Sequence, residues 1–397
     1  MNICIATSTF PLNTADVMRA PFLAPLIERL QAEGHHVCVL TQEREGERES
    51  VFPKVDVVTF GNKLAVNVAE LPLNNARNAW LAAQLIADGT RAAMKLAKAR
   101  EIHLFICLWA VPSGLYIYLG QRLGQLRTPY FIWALGSDIN KLKKNATSKQ
   151  ILRRVLRGAS ARFAVGFELR EEVERISGLQ CQFLSAFRRL PGGGAPAKAS
   201  PDARPKFLFV GRHTKVKGID ILFDAVSELK RRGVSAFELL VASEGELTQK
   251  LKERVQNEAL ERIVSFAGKV DDTALRALYE AADCVVIPSR SEGFPLVFGE
   301  ALQMSRPLIV SEVAGMGEVA RKYSVATAVP SENPVALADA MQAFIARPFS
   351  PNEVGRLALL DLLVFESSVQ TLIDRVDALQ IHDSDARKNQ PHRQSAL

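Results

Sequence analysis

The sequence predicts an α/β protein made of two parallel-sheet units in tandem. Three observations predict it. Short β-branched or aromatic runs alternate with longer segments of helical periodicity along most of the 397 residues, which is the pattern of right-handed βαβ units. The runs are almost continuously apolar, as in Phe207-Leu-Phe-Val210, and such strands suit sheets covered on both faces. The rhythm breaks once, at Leu190-Pro-Gly-Gly-Gly-Ala-Pro-Ala-Lys-Ala-Ser-Pro-Asp-Ala-Arg-Pro205, whose Pro, Gly and small residues read as a linker. A chain of this length also exceeds one ordinary domain.

In the first half, strands are expected at Asn2–Ser8, His36–Gln42, Val55–Phe60, Ile102–Leu108, Tyr130–Ala134 and Ala161–Gly166, with helices at Phe22–Glu33 and Asn74–Arg100 among the segments between them. The second half gives strands at Phe207–Val210, Phe237–Ala242, Ile263–Phe266, Cys284–Pro288 and Leu308–Ser311. Its helices are expected over Lys217–Arg232, Gly245–Glu258, Thr273–Ala281, Pro295–Met304 and Pro334–Ala346. The resulting division is a first unit over 1–190, a linker over 191–205, a second unit over 206–365 and a C-terminal helix over 366–380. Residues 381–397 are polar and aperiodic and read as a disordered tail. Ligands of open parallel sheets bind beyond the carboxyl ends of the strands, so two facing sheets joined by a flexible linker predict a cleft with a site on each wall.

Composition narrows the function classes. Hydrophobic residues make up 48% and charged residues 23%, an ordinary globular balance. No run of about 18 apolar residues is present to span a membrane. The start, Met1-Asn-Ile-Cys-Ile-Ala6, is a strand pattern without a basic leader, and the expected location is cytoplasmic. Cys4, Cys38, Cys107, Cys181 and Cys284 are scattered and odd in number, which predicts buried thiols in a reducing compartment. The net charge of +7 favours anionic partners. Lys141, Lys143, Lys144, Lys149, Arg153, Arg154 and Arg157 fall in one acid-free segment, while Ile151, Leu152, Val155 and Leu156 form an apolar stripe at helical spacing. That combination fits either a solvated helix or a peripheral contact with an anionic membrane surface, here the inner face of the cytoplasmic membrane. A nucleic-acid partner is not expected, because no aromatics are interleaved for base stacking.

Two stretches carry the chemistry. Val210-Gly-Arg-His-Thr-Lys-Val-Lys-Gly-Ile-Asp220 reads as a strand, a loop and a helix start. Arg212 offers a planar fork and Lys217 a mobile point charge over a helix N-terminus, a combination suited to a diphosphate. Ser289-Arg-Ser-Glu-Gly-Phe-Pro-Leu-Val-Phe-Gly-Glu300 follows a later strand. Glu292 belongs to its strand-to-helix loop, and Glu300 lies in a helix that Pro295 would open at the first helical position. Carboxylates accept hydrogen bonds from hydroxyls, and free N–H groups at the helix start hold an anion, so the stretch suits a polyhydroxyl ligand with a phosphate attached. Asp383-Ser-Asp385 lies in the polar tail and reads as solvated, and no His, Cys and carboxylate cluster has metal spacing. His213 is expected to face solvent, whereas His35, His36 and His103 look structural.

The Gly-Arg-x4-Lys-Gly pattern at 211–218 and the Glu-x7-Glu pattern at 292–300 resemble the retaining GT-B glycosyltransferases of family 4, in order and in spacing. The resemblance covers approximately residues 2–375 and is most specific over 207–340. It implies a GT-B fold of two Rossmann-like domains, an N-terminal acceptor side and a C-terminal nucleotide-sugar side. It further implies that Gly211, Arg212 and Lys217 hold the donor diphosphate, that Glu300 binds the ribose, and that Glu292 meets the transferred sugar beside Gly293, Phe294 and Leu296. Glu292, Arg212 and Lys217 would be the catalytic set, with no metal and no further cofactor. The implied donor is a UDP- or GDP-linked sugar and the implied acceptor a sugar or polysaccharide hydroxyl. The basic segment of the first unit adds the expectation of a lipid-linked or membrane-proximal acceptor, as in bacterial surface polysaccharide or glycolipid assembly.

The sequence departs from that family at several points. Pro295, Ser305 and Ala314 stand where glycine is frequent, Glu312 where Asp is common, and Leu135 where many relatives carry His before Gly136-Ser-Asp138. The loop Phe10-Pro-Leu-Asn-Thr-Ala-Asp-Val-Met-Arg-Ala-Pro-Phe22 has none of the usual glycines, so Arg19 either supplies a side-chain cation there or is simply exposed. Asp138 either meets a substrate hydroxyl or caps the next segment. Trp109 either stacks on a sugar ring or is a buried structural residue. A nucleotide-sugar epimerase and a catalytically silent nucleotide-sugar-binding partner are the alternative functions.

Overall fold

The structure is a computed structural model that describes residues 1–11, 22–43, 55–61, 75–187, 189–192 and 204–388, with side chains to residue 380. The chain divides into two compact units.

The first unit holds a seven-stranded sheet in the order β3-β2-β1-β4-β5-β6-β7. Its strands are β1 Asn2–Thr7, β2 His36–Gln42, β3 Asp56–Phe60, β4 Leu104–Leu108, β5 Tyr130–Ala134, β6 Ala161–Ala164 and β7 Gln182–Phe183. Every pairing is parallel, from Asn2↔His36 between β1 and β2 to Ala164↔Phe183 between β6 and β7. Central strands β4 and β5 are buried throughout, as their unbroken apolar runs require. The long helix Ala76–Arg100 starts at Asn75, whose side chain accepts the N–H of Asn78 at 2.8 Å.

The helix Ala146–Gly158 corrects the apolar half of the membrane reading of the basic segment. Leu152, Val155 and Leu156 are fully buried inside the unit, where Tyr130 Oη donates to the Val155 carbonyl at 2.6 Å. The apolar stripe is therefore core, and burying each such side chain contributes about 1.5–3 kcal/mol to folding. Only Ile151 of that stripe is exposed, beside the exposed Arg153, Arg154 and Arg157.

The second unit holds a six-stranded parallel sheet in the order β10-β9-β8-β11-β12-β13. Its strands are β8 Lys206–Val210, β9 Glu238–Ala242, β10 Val264–Gly268, β11 Cys284–Ile287, β12 Leu308–Ser311 and β13 Ala326–Val329. Phe207, Phe223, Phe237 and Phe344 pack into one core, with Phe207 edge-on to both Phe237 and Phe344. Asp271 and Asn333 cap the helices Asp272–Ala281 and Pro334–Ala346, each accepting an N–H three residues on. All five cysteines are free and buried.

Two boundaries differ from the sequence reading, and one segment gains a place. The chain from Phe365 onward, which holds the expected C-terminal helix, groups with the first unit. Its attachment is visible: Phe365 packs 6.3 Å from the Trp133 ring, Ser368 Oγ accepts the Ser185 N–H at 3.0 Å, and Leu372, Ile373 and Val376 are buried. The last helix spans Gln370–Lys388 and so enters the expected tail, whose residues before Pro391 include no helix breaker; 389–397 lie outside the described residues. The helix expected from Pro295 spans Leu296–Gln303, with Pro295 one position earlier, as the N-cap, in an extended conformation.

Candidate functional site

In the second unit β8 and β11 are neighbours, so the loops leaving their carboxyl ends start side by side. After β8 the chain runs through Gly211 and the exposed Arg212 into a short 3-10 turn, Lys215–Lys217, and then the helix Ile219–Arg231. Gly218 joins the turn to the helix at φ +67°, and a Cβ there would stand 1.9 Å from the Pro288 carbonyl oxygen. Only glycine satisfies both conditions, and its absence of a side chain lets the loop after β8 lie against the end of β11.

That approach brings two predicted residues into contact. Lys217 Nζ donates to both oxygens of Glu292, at 2.7 and 2.9 Å, and Ser289 Oγ donates to Oε1 at 2.7 Å. Ser289 is itself fixed from below, because Ser311 Oγ donates to its carbonyl at 2.7 Å. Arg290 ties the same two loops together. Its N–H donates to the Val216 carbonyl at 2.9 Å, while its guanidinium grips both oxygens of Asp220 at 2.7 and 3.0 Å and reaches Glu332 at 3.0 Å. Burial alone would raise the Asp220 pKa, but the hydrogen bonds from Arg290 outweigh it and hold the carboxyl below its ordinary value.

Glu300 is held by a residue that sequence reading passed over. Tyr279 is fully buried in the helix Asp272–Ala281 and donates its hydroxyl to Glu300 Oε2 at 2.6 Å. Burial, then the neighbouring Glu300 charge, push the Tyr279 pKa well up, so the phenol stays a donor. Gly293 and Phe294 lie in the turn between Glu292 and the helix. Phe294 packs 6.2 Å from Phe167 and 5.2 Å from Phe298. Gly166–Glu168 group with this unit, and a Cβ on Gly166 would stand 2.3 Å from the Gly293 carbonyl oxygen. Leu296 is the first residue of the helix, and the N–H of Phe298 donates to the carbonyl of the N-cap Pro295 at 3.1 Å.

His213 corrects an expectation. It is fully buried, with its Nδ1 2.8 Å from Thr248 Oγ1 and its ring centroid 6.3 Å from Phe209 and 6.1 Å from Phe266. Burial lowers its pKa, so a neutral core imidazole stands where a solvent-facing one was expected. Two departures from the family pattern keep a glycine-like backbone without glycine: Ser305 has φ +54° and Ala314 φ +56°. Glu312 pairs with Arg321.

In the first unit Asp138 and Trp109 come together, though not as two ligands side by side. Asp138 Oδ2 accepts the N–H groups of Ala110 and Val111 at 2.7 and 3.3 Å, so the carboxylate caps the loop after β4. Desolvation raises its pKa to about 6, against the pull of the main-chain amides of Ile139, Val111 and Ala110. Trp109 is half-buried, has φ +67°, and donates Nε1–H to Ser137 Oγ at 3.1 Å. Gly136 is buried at φ +108° and turns the chain out of β5. Arg19 lies outside the described residues. Among the described residues no group of three or more His, Cys, Asp or Glu side chains is placed to hold a metal, and the side chains of Asp383 and Asp385 lie outside them.

Residues 195–358, most of the second unit, match the family model described as Glycosyl transferases group 1. The second unit belongs to that family. An uncharacterised glycosyltransferase of Methanocaldococcus jannaschii is 34% identical over 137 residues, 34% of this chain and 35% of the relative. Glycogen synthase of Mycobacterium tuberculosis is 26% identical over 350 residues, 83% of this chain and 82% of the relative. The longer match aside, this chain spans 35–59% of the length of the first curated relatives. Among solved structures, sucrose-phosphate synthase from Thermosynechococcus elongatus superposes with a TM-score of 0.73 at 20% identity, over 96% of this chain and 99% of that one. HepE of Anabaena, solved with UDP-glucose, gives 0.68 at 15% identity over 95% and 100%. These likenesses establish the GT-B fold, with the group 1 domain carrying the Lys217–Glu292 loops.

Proposed function

We propose that this chain is a retaining glycosyltransferase that moves a hexose from a UDP- or GDP-linked sugar to an acceptor hydroxyl. The observation that carries the proposal is the convergence of Lys217, Ser289 and Glu292 at adjacent strand ends of a glycosyl transferases group 1 domain. Arg212 and Lys217 meet the diphosphate and stabilise the negative charge that grows on it as the glycosidic bond breaks. Glu300, braced by Tyr279, accepts the ribose hydroxyls. Glu292 accepts hydroxyls of the transferred sugar. The departing phosphate takes the acceptor proton on the same face of the sugar, so retention needs no separate protein base. A metal is not required in this scheme, because side chains supply the positive charge.

The acceptor side is assigned to the first unit, with Trp109 presented by Ser137 and by the Asp138 cap. The acceptor belongs to surface polysaccharide or glycolipid assembly. Exposed Arg153, Arg154 and Arg157 support an electrostatic contact of that unit with an anionic bilayer, at about 1 kcal/mol per cation. With its apolar stripe buried, the helix docks by charge and not by insertion. Co-sedimentation with anionic vesicles should therefore vanish at high salt, and binding to neutral vesicles would contradict this reading.

The test of the function is release of nucleoside diphosphate from UDP- and GDP-sugars. Release that depends on an added acceptor is the expected result. Isomerisation of the donor without release, or tight donor binding without turnover against any acceptor, would overturn it.

A further inference from the structure

The lysine assigned to the diphosphate already has a strong internal partner. Lys217 Nζ makes a two-pronged contact with Glu292, and the glutamate side chain is only 9% exposed against 30% for the lysine. Ser289 adds a third donor to the same carboxylate. The loop backbone holds the pair in place through Gly218 against Pro288 and through the Arg290–Asp220 fork. A phosphate arriving at Lys217 therefore competes with a carboxylate that is poorly exposed to water and costly to leave without its cation.

We propose that Glu292 is an internal competitor for the diphosphate, so that the site favours a nucleotide-sugar over a free nucleoside diphosphate. The inference rests on the donor-site reading above. When the complete donor binds, Lys217 passes from Glu292 to the phosphate, and the sugar hydroxyls replace the lysine as donors to the carboxylate. A nucleoside diphosphate brings the phosphate but not the hydroxyls, so Glu292 gives up the lysine with no donor in exchange. The product that remains after transfer is therefore held less firmly than the donor that entered. The selectivity comes from a penalty on the product rather than from extra contacts to the donor.

Calorimetric titration of UDP and GDP into the full chain tests this, using wild type, Glu292→Gln, Lys217→Met and the double variant. Glutamine keeps the size of the side chain and an acceptor for Ser289 but removes the charge that holds the lysine. Glu292→Gln should bind the better of the two nucleotides roughly three- to tenfold more tightly than wild type. Lys217→Met should bind it more weakly, and the double variant should show no gain over Lys217→Met. Equal or weaker binding by Glu292→Gln, with Lys217→Met still impaired, overturns the competition while leaving the diphosphate assignment in place. Unchanged affinity in Lys217→Met, or no binding of either nucleotide by any of the four proteins, overturns the donor-site reading and the inference with it. Circular dichroism of each variant separates these outcomes from misfolding.

Discussion

The two units use the same architecture differently at their strand ends. In the second, side chains from successive strand ends converge on each other: Lys217 and Ser289 on Glu292, Arg290 on Asp220, Tyr279 on Glu300. In the first, Asp138 is turned toward the protein's own backbone, capping the amides after β4, and Trp109 is held by the Ser137 hydroxyl. One row of strand ends is built as a set of charged and hydroxyl-accepting groups. The other is built as a shaped rim in which polar atoms hold loops in place. Under the proposed function the donor meets the former and the acceptor the latter.

If that contrast is right, substitutions in the two units should fail in different ways. The largest effect should come from Glu292→Ala, which should lower kcat at least about a hundredfold, measured as acceptor-dependent nucleotide release. Near-wild-type rates would remove Glu292 from the site. Next, Tyr279→Phe deletes one hydrogen bond and leaves Glu300 less firmly oriented. Donor KM should rise about three- to tenfold with little change in kcat, since the ribose contact is made equally in ground and transition states. A fall in kcat alone would place Glu300 nearer the reacting carbon.

In the first unit the expected signature is stability, not donor affinity. The Asp138 carboxyl titrates at about 6 in the folded protein, above its ordinary 3.8. The native state therefore binds the proton more tightly than the unfolded chain, and stability from this group is lost as pH rises from about 4 to about 6. Asp138→Asn cannot ionise. Its stability relative to wild type should improve across that window by about 2–3 kcal/mol and stay level above it, read from urea midpoints of both proteins at pH 4, 5, 6 and 7. A flat difference would mean that the carboxylate is better solvated than its buried position implies. Smallest of all, Ser305→Gly and Ala314→Gly should each relieve a left-handed backbone by about 1 kcal/mol or less, as the strain removed is partly offset by glycine's entropy in the unfolded chain. A loss of stability would show that the serine or alanine side chain makes contacts worth more than the strain.

Periodicity made the interior of both sheets legible, because central strands such as β4, β5, β8 and β11 are apolar on both faces. It missed β7 and β13, the last strand of each sheet. β7 is two residues long and β13, Ala-Thr-Ala-Val, is only partly buried, so neither carries the apolar signal of a central strand. The candidate site was legible where its arrangement depends on residue type and short-range spacing, as with Lys217 after Gly211 or Glu300 after Glu292. It was not legible where function depends on long-range contact. Tyr279 looks like any apolar helix residue until its hydroxyl is seen on Glu300, and nothing local links Arg290 to Asp220, seventy positions away. Serine before the Glu292 loop was the one overlooked signal in plain view, since Ser289 opens the very motif that contains the glutamate. His213 was misjudged because its neighbours Arg212 and Thr214 are polar, while the walls of its pocket, Phe209 and Phe266, come from β8 and β10. The buried faces of Leu152 and Val155 were misjudged in the same way, as a helix pattern gives a stripe but not what covers it.

The central claim is that the second unit alone supplies the donor's anchoring groups. Its most direct test is a thermal-shift titration of UDP- and GDP-sugars against wild type, Lys217→Ala, Glu300→Ala and Trp109→Ala. The account predicts that one donor stabilises wild type and Trp109→Ala equally, while Lys217→Ala and Glu300→Ala lose most of the shift. A Trp109→Ala protein that no longer responds to the donor, alongside a Lys217→Ala protein that still does, would contradict it.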